Sequence, residues 1–179
     1  MIRPILLAAA PVIAERFSKD CCLNATRILI EVFRDFGIPA RAMVVRCIAG
    51  NAEYFTSIKY ERLLDGAWGV AADAPSGVDG DDWNGHVVVF VRGMLVDAAA
   101  GAMSRPHKQI HMPDFYAGFV PRGWERGGVN HVVALPANGA LIYEALPKDR
   151  SHETLPGFQR SPHNLEAAGV IKARCAITA

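Results

Sequence analysis

CLNATRILIEVFRDFGIPAR, residues Cys22 to Arg41, is the stretch from which the fold is read. Ala25, Ile28, Leu29, Val32, Phe33 and Phe36 recur at helical spacing and make one apolar face. Arg27, Glu31, Arg34 and Asp35 supply the other face, and Ser18 and Asp20 are candidate N-caps. Gly37 is a natural stop and Pro39 prevents continuation. Ala40 to Ile48 then reads as a strand. The helix thus begins at a cysteine and delivers the chain to a sheet.

Downstream, His86 opens the run HVVVFV, and Asp97 stands beyond Arg92-Gly93. His86 to Ala98 reads as a hairpin with Arg92-Gly93 at its tip. If that tip is a two-residue turn, Val91 pairs with Met94 and Val88 faces Asp97. His86 then lies diagonally across on the same face, roughly 7–8 Å away at Cα. A three-residue loop would put the two on opposite faces. A second hairpin, His131 to Leu135 with Ala140 to Glu144, surrounds Asn138-Gly139. Between the hairpins, RPHKQIHMPDFYAGFVPRGWERGG is rich in aromatic, Pro and Gly residues and reads as a loop crossing the sheet or rimming a pocket. Asn51 to Val70 does not decide between helix and strand, and Ala71 to Gly85 reads as a loop. Asn164 to Arg174 reads as a short helix capped by Asn164. Helices first and mostly antiparallel strands after them predict an α+β fold, with N-terminal helices packed on the sheet.

At 179 residues the chain reads as a single domain, 1–179, long enough for a core without disulfide staples. Half the residues are hydrophobic (51%), which argues against wholesale disorder. The formal net charge of +1 offers no basic excess for nucleic acid or an anionic membrane. MIRPILLAAAPVIAERF has a superficial likeness to a signal peptide. Pro4 and Pro11 punctuate it, and no clear small-x-small cleavage site follows, so it is expected to pack as a first helix. No apolar run approaches membrane-spanning length. Cys21, Cys22, Cys47 and Cys175 form no CxxC pair, and adjacent Cys21 and Cys22 would make a strained bridge. A reducing, cytoplasmic setting is expected.

A cysteine on an apolar helix face is ordinarily a packing residue. One in the first turn also meets unpaired backbone N–H groups and the positive end of the helix dipole, which favour a thiolate nucleophile. Cys21 and Cys22 both flank the stripe, and periodicity does not separate them. A carboxylate beside His86 would set its tautomer and stabilise its charged form. Asp73, Asp79, Asp81 and Asp82 do not match an EF-hand loop and read as a solvated turn. His107 and His111, four apart, offer a competing metal site together with His86 and Asp97, although Pro106 and Pro113 oppose a sustained helix there. No Gly-rich phosphate loop, HExxH or GxSxG occurs.

The combination resembles the transglutaminase-like superfamily, whose members share a papain-like cysteine-enzyme fold. In that pattern a Cys opens a helix and a Gly-Ile-Pro-Ala-Arg segment follows about four turns later. A Gly-His then opens a strand, and an Asp stands in the next strand. Here these are Cys22, Gly37 to Arg41, Gly85-His86, and Leu95-Val96-Asp97. Arg34 falls where the family often carries an Arg, and the register selects Cys22 over Cys21. Thr26 stands where the family usually has Ala. The match runs from Lys19 to Ala99, and the second half matches no family pattern.

The resemblance implies a transglutaminase-like domain in which Cys22 attacks an acyl or amide carbon, His86 moves the proton and Asp97 orients His86. It implies a peptide or small amide as substrate, through a thioester, with no metal or cofactor. The Cys22 backbone N–H is the natural oxyanion donor, with the indole of Trp83 or the amide of Asn51 as candidates for a second. A catalytically silent binding domain on the same fold, and the His/Asp metal hydrolase, are the competing expectations.

Overall fold

The computed structural model describes residues 1–17, 21–73 and 83–177. Ser18 and Asp20, the expected N-caps, and Asp79, Asp81 and Asp82 lie outside them. The described residues form four α-helices and a seven-stranded sheet. The helices are α1 (Ile2–Arg16), α2 (Cys22–Asp35), α3 (Ala52–Tyr60) and α4 (Pro162–Ile177). The strands are β1 (Ala40–Gly50), β2 (Gly69–Ala72), β3 (His86–Val91), β4 (Met94–Asp97), β5 (Tyr116–Phe119), β6 (Asn130–Ala134) and β7 (Ala140–Ala145). Every pairing is antiparallel, so the α+β expectation holds.

Helix α2 ends as its sequence predicts. Gly37 takes φ +66, its N–H bonds the Arg34 carbonyl, and the Ile38 N–H reaches back to Phe33. This double closure needs a left-handed residue, which glycine supplies without a Cβ clash. The chain leaves directly into β1. The opposite face of α2 differs from expectation, because Glu31 is only 1% exposed. The segment before α4 covers it, and Arg27, Arg34 and Arg160 surround its carboxylate.

Strand β1 is the axis of the sheet, which is ordered β5-β4-β3-β1-β7-β6. One edge of β1 carries β3 along Ala40–Val45 and then β2 along Cys47–Gly50, while the other carries β7. The sheet curls into a half-barrel. Its two outer strands meet where the Tyr116 hydroxyl and His131 Nε2 lie 2.8 Å apart. Alternation along the strands separates two cores. Val89, Val91 and Val96 pack outward against α1, α2 and α4. Val88, Leu95, Cys47, Leu141 and Tyr143 fill the concave side with Trp124.

The Arg92-Gly93 tip is a two-residue turn with φ +48 and +78, and Val91 pairs with Met94 as predicted. Positive φ at both positions is the hairpin turn whose twist matches the strands. The second hairpin has a longer loop than its Asn-Gly signal implied. Ala134 pairs with Ala140, and the positive φ values fall on Ala137 and Asn138. A Cβ on Gly139 would come within 2.8 Å of the Gly50 carbonyl, so close backbone approach explains that glycine. Helix α4 starts earlier than expected. Ser161 Oγ accepts from the Asn164 N–H and Pro162 occupies the first turn, whereas Asn164 donates to Gln159. The N-terminal segment is helix α1, with Ile5, Ala9, Val12 and Ile13 buried. The helical layer is completed from the C-terminus by α4, rather than made by N-terminal helices alone.

Candidate active site

Cys22 is the first residue of α2, and Cys21 occupies the cap position without a side-chain cap bond. At that position the Cys22 N–H has no intrahelical acceptor. Thr26 lies one turn further on the same helix face. Its buried hydroxyl donates to the Val87 carbonyl at 3.0 Å. That bond ties α2, which opens at Cys22, to β3 one residue from His86.

His86 opens β3 with its side chain on the concave side, the parity it shares with Val88. His86 Nε2 and Asp97 Oδ2 are 2.7 Å apart, and both residues are buried, at 4% and 1% exposure. The diagonal relation predicted from the turn is therefore present. Asp97 is held from three sides. Oδ1 accepts the Ala99 N–H at 2.9 Å, and Oδ2 accepts the Tyr143 hydroxyl at 2.7 Å as well as facing His86. With Nε2 turned to Asp97, Nδ1 is the ring nitrogen left for Cys22, which lines the same cleft and adds to the forces that favour the charged imidazole.

Burial alone would push His86 down. The Asp97 charge and hydrogen bond, joined by Cys22, outweigh it and hold the imidazole well above its ordinary value. Burial would likewise push Asp97 up, but His86, Tyr143 and the Ala99 N–H bring it below the usual carboxylate range. Each group thus favours the charged form of the other. Tyr143 is pushed well up, by burial first and then by Asp97, so it stays a hydroxyl donor.

Cys22 and His86 line a cleft of ≈ 310 Å³. Its walls include Leu23, Val70 to Ala72, Trp83, Met103 and Arg105. It opens where β2 and β3, sharing one edge of β1, leave a gap between Ala72 and His86. Trp83 is therefore at the cleft, but its indole N–H donates to Ser151 Oγ at 2.9 Å, which commits it elsewhere. Asn51 is not at the cleft. It caps α3, accepting from the Tyr54 and Trp68 N–H groups and donating to the Gly66 and Lys108 carbonyls. Its amide is fully engaged in holding that loop, so the oxyanion candidacy of Asn51 is withdrawn.

Among the described residues no three His, Cys, Asp or Glu side chains are grouped to hold a metal. His107 and His111 are exposed and do not join His86 and Asp97. Asp73 pairs with Arg46 at 3.1 Å. All four cysteines are thiols. Cys47 is buried against Met103, and burial raises its thiol well above the ordinary value. Tyr143, the Ala99 N–H and Arg105 were missed by sequence reasoning. Tyr143 shares the inward parity of Leu141 and Ala145, but its approach to Asp97 depends on β7 pairing with β1. No described helix is long and apolar enough to cross a membrane. No family model, curated protein or solved structure matches the chain.

Proposed function

We propose that the chain is a cysteine-dependent acyl-transfer enzyme with Cys22 as nucleophile, His86 as proton carrier and Asp97 as its orienting acid. The observation that carries this reading is the buried His86–Asp97 pair facing a helix-opening thiol on the wall of an open cleft. The transglutaminase-like resemblance supports the same roles, and with them a papain-like arrangement. The substrate class is a peptide or small amide, and four thiols fit a reducing, cytoplasmic setting.

The chemistry follows from the geometry. Cys22 Sγ bonds to the acyl carbon while its proton passes to His86 Nδ1. Asp97 keeps the imidazole in the required tautomer and stabilises the imidazolium. The Cys22 N–H, free of an intrahelical acceptor at the helix start, is the donor we assign to the developing oxyanion. His86 then protonates the leaving amine as its bond to carbon breaks, leaving a thioester. An acceptor, water or an amine, gives a proton to His86 and attacks the same carbon. The C–S bond breaks and the thiol is restored.

Iodoacetamide labelling read by mass spectrometry tests the proposal. Cys22 is expected to alkylate fastest of the four cysteines around pH 6–7, and His86→Ala to remove that advantage. Equal, slow labelling of all four overturns it.

A further inference from the structure

Arg105 lines the same cleft as Cys22 and His86. Its Nη1 donates to the carbonyls of Ala102 and Ser104, both at 2.8 Å. Those bonds anchor one corner of the guanidinium to its own loop and leave Nη2 and Nε as further donors. Arg16, Arg27, Arg34, Arg46 and Arg150 each pair with a carboxylate. Arg105, half-buried, has no carboxylate partner among the described residues. The rest of the cleft wall is mostly apolar, and its indole N–H is already used. A half-buried planar fork with spare donors is suited to a carboxylate, which it can take with two parallel bonds.

We infer that Arg105 is a specificity residue that binds a carboxylate on the acyl substrate. This deepens, and rests on, the reading of Cys22 as nucleophile. The substrate class becomes an anionic peptide or amide, with its carboxylate near the attacked carbonyl. Two sources have that chemistry, a free C-terminus and an acidic side chain.

The test uses the full chain and three probes: N-iodoacetyl-glycine, N-iodoacetyl-β-alanine and N-iodoacetyl-γ-aminobutyrate. Each is compared with its uncharged carboxamide. In every case the sulfur bonds to the methylene carbon as iodide leaves, so only the distal charge differs. Rates at Cys22, read by mass spectrometry, are divided by rates with free glutathione. One anionic probe is expected to react about five-fold faster than its carboxamide, an advantage that shrinks with added salt. The glycine probe winning assigns a C-terminal carboxylate, and the longest probe winning assigns an acidic side chain. Arg105→Gln is expected to bring the anionic-to-neutral ratio down to that of glutathione, and Arg105→Lys to retain part of it. A flat ratio across all spacers, or a ratio unchanged in Arg105→Gln, overturns the inference while leaving the nucleophile in place. Slow labelling of Cys22 by plain iodoacetamide overturns both. If Arg105→Gln does not fold, the salt dependence of the native ratio and Arg105→Lys decide.

Discussion

The two faces of the sheet are made by the same strands and differ in kind. Outward, Val89, Val91 and Val96 meet Ile28, Leu29, Val32 and Phe33 of α2, together with α1 and α4, in an apolar layer. Inward, one residue along each strand, lie His86, Asp97, Tyr143, Tyr116 and His131. Tyr143 stacks on both Tyr116 and His131, with centroids 6.1 and 6.2 Å away. Strand alternation thus separates the helix-covered apolar layer from the side that holds the buried polar cluster by a single residue step. Polar groups are tolerated inside because each has a partner. The comparison predicts that outward substitutions act on folding, and inward ones on the reactivity of Cys22.

The largest effect belongs to the outward face. Phe33→Ala removes a fully buried ring and is expected to cost about 3–5 kcal/mol of stability. Urea denaturation measures it. Alkylation of Cys22 per folded molecule should stay near the native rate, and a collapse of that rate would break the division of labour. Next is Asp97→Asn, which keeps the shape but removes the charge that holds His86 up. Labelling of Cys22 should slow by about 10²-fold or more while the helical layer stays intact by circular dichroism.

The same pair predicts a pH signature. His86 is raised in the folded state, so its contribution is complete below about pH 6.5 and is lost as pH rises through the folded value. Asp97 is lowered, so its contribution is complete above about pH 3.9 and is lost as pH falls through the folded value. The pair stabilises most between those limits. Melting temperature against pH should show this dome, and Asp97→Asn should flatten it.

Smaller effects sharpen the picture. Tyr143→Phe removes one donor to Asp97 and should cost about 1–2 kcal/mol, read by denaturation, with a modest loss of labelling rate. Thr26→Val breaks the tie to Val87 and should cost about 1 kcal/mol. Its proportionally greater loss in Cys22 labelling would mark Thr26 as a positioning residue, whereas equal losses would make it only structural.

Much of the site could be read locally. Cys22, the Gly37 stop and the His86–Asp97 parity depend on one helix, one cap and one two-residue turn. Short-range sterics and alternation govern all three. Strand β5 was not legible, because a four-residue edge strand containing Gly118 carries no alternation signal. Asn51 was misread for the opposite reason. An amide's residue type does not disclose its partners, and Gly66, Trp68 and Lys108 are brought to it by folding.

What the sequence by itself determined is the α+β class, the helix that opens at Cys22, and the shared face of His86 and Asp97. Helical and strand periods impose these within a few residues. Only the tertiary structure decided that α2 meets β3 through Thr26, that Tyr143 reaches Asp97, that Glu31 is enclosed, and that Arg105 shares the cleft. The first three of those contacts join positions 46 to 129 residues apart, and they exist because the sheet curls and the helices cover it. No local pattern encodes how a curled sheet brings its distant strands together.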